Sequence, residues 1–110
     1  MNPSNRVRVW QVVYSIPSGK VCTYGAVAAM AGLPKRARAV GKYLSELPKG
    51  SKIPWHRVLN AQGKLSFEVG SERFITQKLK LQDEDVNFTN NKVDLKRFLW
   101  QSEPCVILEK

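Results

Sequence analysis

A glycine and a proline two positions apart, Gly32 and Pro34, separate two short segments that each carry helical patterning. Upstream, Thr23 has the side chain of a good helix cap and leads into Tyr24 to Ala31. Gly32 then ends that helix, because a backbone without Cβ enters the left-handed region at little cost. Downstream, Pro34 suits the first position of a further helix reaching about Leu47. On it Ala37, Val40, Leu44 and Leu47 recur at intervals of three, four and three and so share one face. Two helices joined by so tight a glycine-containing turn read as a helix-turn-helix.

The remaining chain supplies what such a pair packs against. Ser4 can cap a first helix, in which Val7, Trp10 and Tyr14, with Val13 beside them, recur at helical spacing until Ile16-Pro17 stops it. After a Ser18-Gly19 turn, the short extended stretch Lys20-Val21-Cys22 leads to the Thr23 cap. Beyond a loop from Lys49 to Lys52, Ile53 to Leu59 runs into Asn60-Ala61-Gln62-Gly63, a turn between short strands that makes a small hairpin, and a polar loop extends to Ser71. A helix from about Glu72 to Asp83 is expected to bury Phe74, Ile75 and Leu79, with Val86-Asn87-Phe88 and Val93 to Trp100 completing the packing. The expected fold is mainly α with a small β-hairpin, a winged helix-turn-helix. Its 110 residues, 43% apolar, suit one core, so residues 1–110 are expected to form a single domain, with a monomer as the default.

The net charge of +9 is unevenly placed. Residues 1–52 hold nine Lys and Arg against the single acid Glu46, whereas residues 53–110 hold nine basic and eight acidic side chains. A concentrated positive field attracts phosphates by Coulomb steering and counterion release, so nucleic acid is the expected partner; a solvated basic face is the plainer alternative. Wheel arithmetic puts Lys35, Arg38, Ala39 and Lys42 on the solvent side of the third helix, with Gly41 at its edge. Helices that read the major groove present long Asn, Gln or Arg side chains, while Ala39 and Gly41 leave the backbone free to come close, which suits a minor groove about 6 Å wide. Arg38 would project from that platform or, on the plainer view, be an ordinary exposed arginine.

No apolar run approaches the roughly 18 residues of a membrane span and no signal-peptide pattern opens the chain, so a cytoplasmic protein without membrane contact is expected. Cys22 and Cys105 lack metal-ligand spacing and are too few for a disulfide framework, although one bridge stays open. Both are read as reduced thiols, and neither a metal nor a cofactor is implied.

Three motifs occur in order: Gly-Lys-Val-Cys-Thr-Tyr at 19–24, Ala-Arg-Ala-Val-Gly at 37–41 and Ile-Pro-Trp-His-Arg-Val at 53–58. Over roughly residues 5–100 the chain resembles the C-terminal domain of the O6-alkylguanine-DNA alkyltransferases. In those enzymes the third motif reads Pro-Cys-His-Arg-Val, and its cysteine accepts the alkyl group. Trp55 stands at that position here, which is similar to the alkyltransferase-like proteins. Displacing an alkyl group from a guanine oxygen needs a strong nucleophile such as a thiolate, and an indole nitrogen offers no useful lone pair, so no catalytic residue and no alkyl transfer are expected. Pro104-Cys105 does not restore the motif, because Val106 and Ile107 follow it, and Cys105 is read as part of the tail. Cys22, just ahead of a helix start, is read as inert although such positions can favour thiolates.

The resemblance assigns roles residue by residue. Tyr24 would contact the phosphate beside the target nucleotide and help rotate it out of the helix. Arg38 would fill the vacated stack, its planar guanidinium hydrogen-bonding the orphaned partner. Lys35, Ala39, Gly41 and Lys42 complete the expected DNA surface. Trp55 would floor a lesion pocket shared with Tyr24, Pro54 and Ser71 and give van der Waals contact to an alkyl group. The loop from Gly63 to Ser71 would form another wall, although Phe67-Glu68-Val69 does not match the enzymes' pattern. His56, the only histidine, and Glu84 would keep the enzymes' relay without its client, ordering the turn and catalysing nothing. The resemblance thus implies a non-enzymatic sensor that binds O6-alkylguanine in double-stranded DNA and passes it to nucleotide excision repair proteins. Two rivals stand beside it: an enzyme acting through His56 or an activated water, and a transcription regulator reading a defined operator.

Overall fold

The structure, a computed structural model, describes residues 4–100. Its elements are α1 (Asn5–Tyr14), β1 (Cys22–Thr23), α2 (Tyr24–Met30), α3 (Ala37–Ser45), a 3-10 turn (Trp55–Arg57), β2 (Val58–Leu59), α4 (Glu72–Asp83), β3 (Phe88–Thr89), β4 (Lys92–Val93) and α5 (Leu95–Phe98). β1 and β2 pair in parallel, Cys22 opposite Val58 and Thr23 opposite Leu59. A parallel pair cannot be closed by a tight turn, and here α2 and α3 fill the crossover.

Successive strand residues face opposite ways, so this short ladder serves two cores. Cys22 and Val58 join Val9, Val13, Val27 and Val40 from the three N-terminal helices. Val21 and Leu59 join Phe74 and Leu81 of α4, together with Val93 and Phe98. Val21 also ties down the end of the described chain, its N–H donating to the Phe98 carbonyl at 2.9 Å and its carbonyl accepting from the Trp100 N–H at 2.7 Å. Helix starts follow local chemistry: the hydroxyls of Ser4, Thr23 and Ser71 accept the N–H groups of Val7, Ala26 and Phe74 at 3.2, 3.1 and 3.2 Å.

Several expectations are corrected. Pro34 does not open α3; Leu33 to Arg36 is a turn closed by the Arg36 N–H on the Leu33 carbonyl at 3.1 Å, with Lys35 at φ +66°. Pro second and a positive φ third is the type II pattern, so Lys35 precedes the helix instead of standing on its solvent face. On α1 the fully buried stripe is Val9 and Val13, not Val7, Trp10 and Tyr14. Valine has no polar atom to satisfy, whereas Trp10 stays at the rim with its Nε1–H on the Tyr43 carbonyl at 2.9 Å, and Tyr14 is 66% exposed. On α4, Phe74 is buried but Ile75 and Leu79 are 48% and 60% exposed; Gln77 and Leu81 complete the inner face.

The hairpin is displaced as well. Asn60 to Gly63 does form a turn, but the antiparallel ladder is β3–β4, Phe88 opposite Val93, joined through Asn90 and Asn91 at φ 53° and 60°. Asparagine tolerates the two left-handed positions of such a connection. The 60–63 turn instead packs on this hairpin, with the Val93 N–H on the Gly63 carbonyl at 2.9 Å. Glycine is required there: φ is +81°, and a Cβ would lie 2.5 Å from the Val93 carbonyl oxygen. No helix among the described residues is long and apolar enough to cross a membrane.

Candidate functional site

On α3, Arg38 and Lys42 are exposed, and Ala39 and Gly41 are half-buried. Lys35 is exposed in the turn before the helix. Packing does not demand a glycine at 41, since a Cβ there would meet only the Tyr24 ring, at 4.0 Å. Tyr24 opens α2, half-buried, and its hydroxyl pairs with Ser66 Oγ at 2.6 Å. That bond joins the helix pair to the loop after β2.

Between these elements lies a cavity of about 380 Å³, walled by Tyr24, Gly41, Leu44, Trp55, Phe67 and Arg73 and by the loop at 47–51. Its volume falls in the range of about 300–1,000 Å³ typical of sites for small molecules. Trp55, at the start of the 3-10 turn, stands edge-on to Phe67, ring centroids 6.1 Å apart at 87°. The Arg73 guanidinium carbon lies 5.7 Å from the Phe67 centroid, within cation–π reach. Of the four residues expected at this pocket, Tyr24 and Trp55 line it. Pro54 is buried beside the turn and borders a separate recess with Tyr14 and Lys80, while Ser71 caps α4. The loop from Gly63 to Ser71, expected as another wall, reaches the cavity through Phe67, a contact its unmatched pattern did not single out, and Arg73 owes its place to how α4 docks.

None of the residues lining the cavity is a cysteine. Cys22 is fully buried in the first core, and burial pushes its thiol up to about 11 against a smaller opposing hydrogen bond from the Thr23 backbone. Burial therefore overrides any helix-start effect, and a protonated thiol out of solvent is a poor nucleophile. Pro104 and Cys105 lie outside the described residues.

Behind the turn, His56 Nε2 lies 2.9 Å from Glu84 Oε2. Burial lowers the imidazole below its usual value of 6.5 despite the opposing carboxylate, so the neutral ring donates Nε2–H to Glu84. Burial alone would raise Glu84, yet hydrogen bonds from Arg57 and His56 hold it down at about 2. Arg57 carries most of this: its Nη2 donates to Oε2 at 2.6 Å, its Nε lies 3.0 and 3.2 Å from the two oxygens, and its Nη1 reaches the Ile16 carbonyl at 2.7 Å. The carboxylate charge is thus balanced by the guanidinium.

Gln77, 1% exposed, donates Nε2–H to the carbonyls of His56 and Val58 at 3.0 and 3.1 Å, fixing the backbone on either side of Arg57. Its role has a sequence signal, an amide placed three after Phe74 and four before Leu81, where the helical pattern asks for an apolar residue. Arg57 lies inside the third motif, but its ties to Glu84 and Ile16 are set by tertiary structure. Among the described residues no group of three or more His, Cys, Asp or Glu could hold a metal ion.

The family described as 6-O-methylguanine DNA methyltransferase, DNA binding domain, matches residues 4–86. The chain is 46% identical over 96 residues to a DNA base-flipping protein of Vibrio parahaemolyticus, covering 86% of this chain and 94% of that one. It is 35% identical over 102 residues to alkyltransferase-like protein 1 of Schizosaccharomyces pombe, covering 86% and 92%. The crystal structure of S. pombe Atl1 in complex with damaged DNA containing O6-carboxymethylguanine matches with a TM-score of 0.82 at 34% identity, covering 92% of this chain and 99% of that one. The chain belongs to the DNA-binding-domain family of the 6-O-methylguanine DNA methyltransferases and, within it, to the alkyltransferase-like proteins.

Proposed function

We propose that this chain is a non-enzymatic sensor of O6-alkylguanine in double-stranded DNA, acting as a cytoplasmic monomer. In this reading α3 enters the minor groove, the damaged nucleotide flips into the Trp55 cavity, and the complex marks the lesion for nucleotide excision repair. The carrying observation is the cavity, in which Trp55 and Phe67 form an aromatic corner and no thiol is present, while Cys22 is buried elsewhere. An aromatic wall supplies dispersion contact and excludes water, so what it offers an alkyl group is affinity and not bond-making. The relative named a DNA base-flipping protein and the complex of Atl1 with damaged DNA support this reading.

Part of the selectivity comes from the duplex itself, because an alkylated guanine pairs weakly with cytosine and costs less to extrude. Arg38, exposed on α3, fills the gap. The Tyr24 hydroxyl, held by Ser66 in the free protein, exchanges that bond for a phosphate oxygen. Incubating an O6-methylguanine duplex with excess protein should return both components at unchanged mass; a protein heavier by one methyl group, or a restored guanine, would make it an enzyme. Arg38→Ala should weaken binding to the lesion duplex far more than to undamaged DNA, whereas Lys35→Ala or Lys42→Ala should weaken both alike. Equal losses for all three would remove the assignment of Arg38. Lesion-bound protein that captures no excision-repair component would remove the handover.

A further inference from the structure

Lys64 and Lys92 are directly opposed in an antiparallel bridge. Their neighbours Gly63, Leu65 and Val93 are buried while both lysines are exposed, so strand alternation sends the two side chains off the same face. Like charges placed opposite one another across strands are destabilising. Neither lysine has an ion-pair partner among the described residues. Lys92 also borders a groove of about 830 Å³ between the β3–β4 hairpin and α5, shared with Lys96 and Arg97. Among the described residues lining that groove the one acid is Asp94, whose Oδ1 already accepts the Lys96 N–H at 3.0 Å. Lys64 lies two residues before Ser66, which bonds the hydroxyl of the cavity-lining Tyr24, so about 7 Å of chain at most separates Lys64 from that contact.

We propose that Lys64 and Lys92 form a second anion-binding surface, a wing contact that takes backbone phosphates of the same duplex a short way from the flipped nucleotide. The inference rests on the DNA-binding reading above. Phosphate oxygens set between the two ammonium groups turn a repulsive pair into attractive contacts. A duplex carries one charge for about every 1.7 Å of its axis, so a cationic surface this close to the cavity meets the same backbone.

The double variant Lys64→Gln/Lys92→Gln keeps the side-chain stems and the backbone bridge. Binding of wild type and variant to an undamaged duplex and to an O6-methylguanine duplex is titrated at several salt concentrations. The slope of log affinity against log salt should be shallower in the variant by about 0.9 to 1.8, for one or two phosphate contacts, and equally so on both duplexes. The preference for the lesion should not change, and the free variant should melt at a higher temperature, its cross-strand repulsion gone. An unchanged slope and affinity, in a wild type that does bind DNA, overturns the inference and leaves the sensor reading standing. A wild type that fails to bind either duplex removes the sensor reading and this inference with it.

Discussion

Trp55 and His56 are adjacent on one 3-10 turn and meet surroundings of opposite kind. The indole borders an open cavity shared with Phe67 and Arg73. The imidazole faces a largely buried hub in which Glu84 binds His56, Arg57 and the Gly19 N–H, while Gln77 holds the backbone behind them. A residue on a cavity wall can be exchanged and change what is bound. A residue in the hub holds α1, the turn and α4 to one another. This difference explains how a histidine–glutamate pair can stand beside a tryptophan, whose indole N–H does not ionise near neutral pH: the buried charges of Glu84 and Arg57 need one another whatever stands at position 55.

Breaking the hub should cost the most. Glu84→Ala strips Arg57 of its partner, and with side-chain exposures of 16% and 15% for Arg57 and Glu84 the pair is largely dry. A loss of about 3 kcal/mol in urea unfolding at neutral pH is expected, as for opening a buried ion pair. A loss below about 1 kcal/mol would mean that the hub is not what fastens α4 to the turn. Trp55→Ala should show the reverse profile, costing only about 1–2 kcal/mol of stability because the ring is half-buried, yet abolishing most of the preference for a lesion duplex. Retained preference would detach the cavity from recognition.

Acidification should weaken the hub gradually. His56, lowered by burial, contributes stability that is complete above 6.5 and lost as pH falls through its folded value. Glu84, held at about 2 against an ordinary 4.5, contributes stability complete above 4.5 and lost toward 2. Both act in one direction, so the melting temperature should fall steadily from pH 7 to pH 3, and Glu84→Gln should remove the lower part of the drop. A melting temperature that rises on acidification would contradict a neutral His56. The smallest effect is expected on the cavity side: Gly41→Ala should stabilise the free protein by about 0.5–1 kcal/mol, because a methyl fits and a helical glycine is entropically costly. Destabilisation in a thermal melt would show that the Tyr24 contact is tighter than it looks.

What was legible in the sequence was local. The caps at Ser4 and Thr23 each bond a group three residues on, and Gly32 turns left-handed at φ +82° where a helix must end, whereas Ser71, expected in the pocket, caps α4. The two-residue β1–β2 ladder was not legible, since Cys22 and Val58 are far apart in the chain and two residues show no alternation. Nor was the hairpin: Asn60 to Gly63 reads as its turn, whereas the ladder is carried by the connection through Asn90 and Asn91, a choice that only tertiary packing decides. Ile75 and Leu79 fit an apolar helical stripe better than Gln77 does, yet the amide faces inward, where it donates to the His56 and Val58 carbonyls. At the site, Trp55, His56 and Glu84 were legible through the motif resemblance, whereas Arg57, Phe67 and Arg73 took their roles from the fold.

The central claim is recognition of a damaged base without reaction. A fluorescence titration of the protein against two duplexes differing only by one O6-methylguanine, at one stated physiological salt concentration, tests it most directly. The account predicts much tighter binding to the modified duplex, with the methylated base recovered intact afterwards. Equal affinities that fall steeply with salt would contradict it and leave a chain that binds DNA without regard to damage.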